Sequence, residues 1–176
     1  MTDHINNVER KLIDNLRHGK YRTVDGIDSG SAWTSGSVEV YGQFPETVDI
    51  KYPCVVLELR ANGTEEQFYG QSITSGASVP AIGELYGVGF DVWCAVDIES
   101  SVTVDATPYK QRRLMNYLML NTANIVMDCD FGDTSTTPYT EVVDRHYTGF
   151  RDIGYNPDTE VWFARASLLI TFKNAR

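Results

Sequence analysis

Residues 84 to 98 read ELYGVGFDVWCAVDI, and their alternation decides the fold. Tyr86, Val88, Phe90, Val92, Cys94, Val96 and Ile98 point one way in an extended chain, while Gly87, Gly89, Asp91 and Asp97 point the other. Such a strand buries one face. Its glycines present no side chain, so another backbone can approach the opposite face closely. Residues 161 to 172, VWFARASLLITF, repeat the pattern, with Trp162, Ala164, Ala166, Leu168, Ile170 and Phe172 on the core side. Asp91, Asp97, Arg165, Ser167, Thr171 and Lys173 then form a polar sheet face that is free to be functional. Pro53 to Arg60, PCVVLELR, adds a third strand through Val55, Leu57 and Leu59, and Asn62-Gly63 offers a hairpin turn into EEQFYGQSI. A shorter strand is expected in SVEVYGQF from Ser37, and another around Glu141 to Thr148, followed by an Asn156-Pro157-Asp158 turn.

Two helices complete the order. Ile5, Val8, Leu12 and Leu16 share one face at helical spacing, Thr2 or Asp3 can cap the start, and Gly19 can stop the helix. The second helix is expected to begin at Thr107-Pro108, a cap followed by proline in the first turn, and to run through YKQRRLMNYLMLNTANIVM to about Cys129. Leu114, Leu118, Asn121 and Ile125 mark its stripe, and Lys110, Arg112 and Arg113 its exposed end. The order helix, strands, helix, strands packs as a two-layer α+β domain, an antiparallel sheet with both helices on its apolar face.

The chain of 176 residues, 42% hydrophobic and 22% charged, suits one domain spanning 1–176. A domain of this size buries roughly 70% of its unfolded surface and needs no staple. Its formal charge of −9 is the wrong sign for coating a nucleic acid. The acidity is concentrated: residues 23–107 hold two basic and thirteen acidic side chains, whereas residues 108–176 hold eight of each. No apolar run approaches the roughly 20 residues that cross a bilayer, and MTDHINNVERK is charged where a leader would be apolar, so a soluble cytoplasmic product is expected. Cys54, Cys94 and Cys129 are an odd count without CxxC spacing and are read as free thiols.

No catalytic set emerges, and none of catalytic, cofactor or metal residues is assigned. His4 and His18 sit at the ends of the first helix; His146 and Asp144 share a strand face as a surface pair, with no serine or cysteine in a recognisable motif beside them. Asp128, Asp130 and Asp133 begin like a calcium loop, but the position where that loop requires glutamate is Tyr139, so a solvated turn is expected. Gly87-Val88-Gly89 lacks the third glycine and following helix of a dinucleotide fingerprint.

The initial amphipathic helix, the proline-led strand YPCVVLELR, the strand ELYGVGFDVWCAV, the helix YKQRRLMNYLMLNTANIVM with its paired arginines, and the last strand VWFARASLLITF together resemble tail terminator proteins of tailed bacteriophages. The resemblance covers most of the chain in element order. It implies an α-β-β-β-α-β core and a non-enzymatic structural virion protein of the neck, assembled in the host cytoplasm into a homo-oligomeric ring, usually a hexamer. That ring would cap the tail tube protein, meet sheath protein if the tail is contractile, and dock the head through its connector or stopper, with DNA passing through unbound and no membrane involved. Another head–tail connector or stopper is the alternative within the class. A small monomeric ligand-binding or enzymatic α+β domain is the alternative outside it.

The two departures from that pattern, at 20–52 and around Asp144 to Asp158, carry expectations, as do the loop 62–83 and the polar strand face. The Gly/Ser-rich stretch 20–52, the loop 62–83 and the extra length around Asp144 to Asp158 are expected to be arms toward neighbours, with Trp33, Tyr41, Phe68 and Tyr69 as partner-interface aromatics. The polar strand face is expected to line the bore, Asp91 and Asp97 repelling DNA together with Glu84, Glu65 or Glu66.

Overall fold

In chain order the elements are α1 (Thr2–His18), β1 (Lys20–Arg22), β2 (Ser29–Ser31), β3 (Glu39–Tyr41), β4 (Cys54–Leu59), β5 (Glu65–Gln67), β6 (Gly83–Asp97), β7 (Ser101–Val104), β8 (Thr107–Lys110), α2 (Gln111–Asp128), β9 (Thr140–Tyr147), β10 (Arg151–Asn156) and β11 (Val161–Ala175). The computed structural model describes residues 2–22, 29–46, 50–60, 65–67, 83–104, 106–129 and 140–175.

The two stretches with the clearest alternation form the spine. β6 and β11 pair antiparallel from Val161 opposite Asp97 to Ala175 opposite Gly83 without a register shift. Each is then flanked by two short strands placed end to end. β4 pairs with residues 90–95 of β6 and β5 with residues 85–87, both antiparallel, so β4 and β5 run the same way. On the far side β10 pairs with residues 161–165 of β11 and β9 with residues 168–174, again both antiparallel. The expected hairpin from β4 into EEQF is therefore corrected: β5 pairs with β6, and Asn62-Gly63 lies outside the described residues. The extra length around Asp144 to Asp158 is likewise largely sheet, in β9 and β10, rather than an arm.

The sheet is mixed, because β3 pairs parallel with β4 through Val40 opposite Val55. An all-antiparallel sheet was the expectation. Parallel neighbours need a crossover of about a dozen residues, and the stretch from Gly42 to Pro53 supplies it. The described residues thus form a seven-stranded sheet and two small two-stranded ones, β1 with β2 and β7 with β8.

Both helices lie against the apolar face, as a two-layer α+β fold requires. Val8, Leu12 and Leu16 of α1 and Leu114, Met115, Leu118, Ile125 and Val126 of α2 share one hydrophobic cluster with Val88, Phe90, Val92, Cys94 and Val96 of β6. Ala164, Ala166, Leu168 and Ile170 of β11 complete that cluster. Each large aliphatic side chain so buried contributes about 1.5–3 kcal/mol. On α2 the buried polar residue is Thr122, bonded to Cys94 Sγ at 3.6 Å, whereas Asn121 is half-buried and donates to Tyr117 O at 2.8 Å.

The helix ends follow from local chemistry. Gly19 adopts φ +61, and its N–H donates to Leu16 O at 3.1 Å, satisfying a terminal carbonyl of α1. At the end of α2 the Arg145 guanidinium, reaching from β9, donates to Met127 O and Cys129 O. A cation there complements the negative end of the helix dipole. The start of α2 differs from the expectation: Thr107-Pro108 belongs to β8, which pairs with β7, and the helix begins at Gln111. Pro108 lies opposite Thr103 in this two-stranded hairpin, an edge where its missing N–H costs no ladder bond.

The expected arm from 20 to 52 is in its described part a packed layer. Ala32, Trp33, Val38 and Val40 enter the core cluster. Ala32 N–H donates to Gly19 O at 2.8 Å and Glu39 N–H to Pro53 O at 3.0 Å, tying the segment to α1 and to the start of β4.

Candidate functional site

Where the flanking strands are interrupted, the polar face of the spine carries a cluster of charged side chains. The two breaks fall near the same level of the ribbon: Arg60, just past β4, donates its N–H to Gly89 O at 3.1 Å, and Thr148, just past β9, donates its N–H to Ser167 O at 3.0 Å. Between them lies Asp91. Sheet register sets Glu58, Asp91 and Ser167 in one row and Val56, Trp93, Arg165 and Arg151 in the next.

Asp91 is the hub. Arg60 donates Nε at 2.8 Å and Nη2 at 2.6 Å to its Oδ1, and Arg165 donates Nη2 at 2.6 Å to its Oδ2. Ser167 Oγ accepts from Arg60 Nη2 and lies 3.4 Å from Asp91 Oδ1. The aspartate side chain is 12% exposed, and each arginine 42%. Burial pushes the Asp91 carboxyl pKa upward, but the hydrogen bonds and charges of Arg60 and Arg165 outweigh it and hold the group below its ordinary value. The Arg165 guanidinium stacks over Trp93 with 5.2 Å to the ring centroid, and Phe44 meets the same indole edge-on at 5.4 Å. The Nε of Arg165 and the Nε1 of Trp93 are buried without partners among the described residues.

Beside the hub is a cleft of about 230 Å³ lined by Thr148, Arg151, Asp152, Arg165, Ala166 and Ser167. It has room for a side chain or a small anion, not for a drug-sized ligand. Asp152 adopts φ +53 where the register of β10 shifts between Arg151 and Gly154.

The sequence-derived residues fall out as follows. Asp91 is not a free acid: Arg60 and Arg165 both pair with it, and with Glu58 in the same row the two acids and two arginines sum to no net charge. Asp97 accepts the Ser100 N–H at 2.7 Å on Oδ1 and holds the turn after β6. Trp33 is not an exposed anchor, being 3% exposed and donating Nε1 to Leu16 O at 2.9 Å. Tyr41 is half-buried, and its hydroxyl accepts the Lys51 N–H at 3.1 Å. Phe68 and Tyr69 lie outside the described residues, as do Asp130 and Asp133. Asp144 and His146 are both exposed on β9. Among the described residues no group of three or more His, Cys, Asp or Glu is gathered as a metal site.

Arg60 and Arg151 were missed as site residues. The available signal was that Arg60 and Lys51 are the two basic residues in 23–107. The thiols are unsuited to nucleophilic work: Cys54 is pushed up to about 12 by burial, then by Asp97 and Glu39, and burial also raises Cys94. No protein-family model matches the chain, and no curated protein matches it.

Proposed function

We propose that this chain is a structural protein of the bacteriophage neck, a ring-forming tail terminator that caps the tail tube and offers the docking surface for the head. The observation that carries the reading is the order of its principal elements. α1, then β4, β5 and β6, then α2, then β11 follows the α-β-β-β-α-β order that the resemblance implies. The β1–β2 and β7–β8 pairs, β3, and β9 with β10 are additions to that order, placed at the sheet's periphery or between its elements.

In this role the polar sheet face is recognition surface, and Asp91 with its two arginines is a rigid brace within it. The partners are further copies of the chain, the tail tube protein, sheath protein in a contractile tail, and a head connector or stopper. Immunogold labelling or a particle map locating this chain tests the proposal. A ring at the junction of head and tail is expected. Its absence from particles, or its location in the capsid shell or the distal tail, overturns the reading.

A further inference from the structure

The seven-stranded sheet ends in two short strands. β10 forms one end and β3 the other, and among the described residues each has one unpaired edge. An unpaired edge is a row of backbone donors and acceptors able to template another strand. β10 is exposed along almost its whole length, including Ile153 at 55% and Tyr155 at 41%.

β10 carries the cation Arg151 beside the anion Asp152, and β3 carries the anion Glu39. Arg151 lies directly opposite Arg165 across the β10–β11 pair, and like charges in that position repel. Arg165 is compensated by Asp91, whereas Arg151 makes no hydrogen bond or ion pair through its side chain with another described residue. Asp152 lines the same cleft and is likewise unbonded through its side chain. At the other end Val40 of β3 is buried in the core, so Glu39 and Tyr41 face the outer side, the side that bears Arg165 and Arg151. Glu39 makes no ion pair with a described residue.

We infer that β10 and the Arg151–Arg165 cleft of one copy receive the Glu39-bearing β3 edge of a second copy of this chain. Direction permits it: β3 is parallel to β4 and hence antiparallel to β10, so laying copies side by side in one orientation brings the two edges together antiparallel with outer faces continuous. Such a contact is head-to-tail, and head-to-tail contacts close into rings when the rotation between copies permits. Each contact is small, because β3 is three residues long, so a single junction is weak and salt-sensitive. The inference deepens the neck-ring proposal and rests on it only for ring closure.

Sedimentation velocity on the full chain, over a concentration series at low and high salt, tests it with Arg151→Glu, Glu39→Arg and the double charge swap. The wild type should self-associate and do so more weakly at high salt. Each single reversal should lower the association constant by about tenfold or more, and the swap should recover most of that loss. Circular dichroism and melting of each variant separate lost association from lost folding. A wild type that stays monomeric throughout, single reversals without effect, or a folded double swap no better than the single variants overturns the inference. A chain that associates through this edge but is absent from virions retains the inference and removes the neck proposal; a neck ring indifferent to both reversals does the converse.

Discussion

Replacing Asp91 with alanine removes the one anion shared by two guanidinium groups. Three charge-assisted hydrogen bonds of 2.6 to 2.8 Å are lost together, and Arg60 and Arg165 are left with like charges across β6. For a fully buried pair, deleting one partner costs about 3–5 kcal/mol, and for an exposed pair at most about 1 kcal/mol. Here the carboxylate is buried but the arginines are 42% exposed, so water recovers part of their solvation and the expected loss is about 2 kcal/mol. In a chain of this length that corresponds to a fall in Tm of about 4–8 °C. The pH dependence has a definite sign. Because the folded carboxyl pKa is lowered, its stabilisation is fully present above the unfolded value of about 3.9 and disappears as pH falls through the lower folded value. Urea unfolding of wild type and Asp91→Ala should therefore show a constant gap from neutral pH to about pH 5, closing in stronger acid. A neutral-pH loss under about 0.5 kcal/mol, the ordinary surface effect, or a gap that persists after acidification would refute the assignment of Asp91 as the hub.

Gly19→Ala should destabilise by about 2 kcal/mol or more, because a Cβ there adds left-handed strain at φ +61 and meets Trp33 N and O at 2.9 Å. Gly36→Ala, at φ +84 with nothing within 4 Å, should cost only the backbone strain of about 1–2 kcal/mol, so urea midpoints for the two variants isolate the steric contribution. Hydrogen exchange on the isolated chain should show Ala32 and Glu39 amides protected, and Trp33→Phe should lower stability by about 1 kcal/mol through the lost bond to Leu16 O while loosening that protection. The folded chain should leave Cys54, Cys94 and Cys129 unreactive toward a thiol reagent at mildly alkaline pH and expose all three on denaturation, since all are buried and Cys54 titrates only near about 12.

The legibility of each element tracks how one-sided its burial is. β6 and β11 were readable because every second residue from Val88 to Val96 and from Ala164 to Ile170 is fully or almost fully buried, which writes period two into the chain. β10 wrote no such pattern: its residues are exposed on both sides apart from Gly154, so the alternating Ile153 and Tyr155 are too short a signal and no buried face backs them. The start of α2 was misplaced because Thr-Pro is a good helix opening when only local chemistry is weighed. Pairing of Thr107 to Lys110 with Ser101 to Val104, a contact that local spacing does not encode, decided otherwise. Trp33 was misread for a related reason. Glycine and serine around it signal a loop correctly, but not which way the loop folds, and this one folds back to place the indole against the last carbonyls of α1.

The pairing of Asp91 shows why net charge and face assignment together still underdetermine a site. Alternation put Asp91 and Arg165 on the same polar face, and both are there. What alternation cannot supply is register between strands distant in sequence: Arg60 lies 31 residues before Asp91 and Arg165 lies 74 after it. Once β4 and β11 lock onto opposite edges of β6, Arg60 just past β4 and Arg165 of β11 converge on the same carboxylate, and an acidic stretch acquires a locally charge-balanced surface. The convergence occurs beside the ends of β4 and β9, at Arg60 and Thr148. Side-chain bonds from Arg60 to Asp91 and Ser167, and from the Ser167 N–H to Thr148 Oγ1, there span the sheet from one break to the other. The brace thus adds side-chain links between the β4 and β9–β10 edges to the ladders that join them through β6 and β11. Geometry at the two ends of the sheet, on which any regular side-by-side assembly depends, is set by the backbone ladders, and the ion cluster at its middle adds to them.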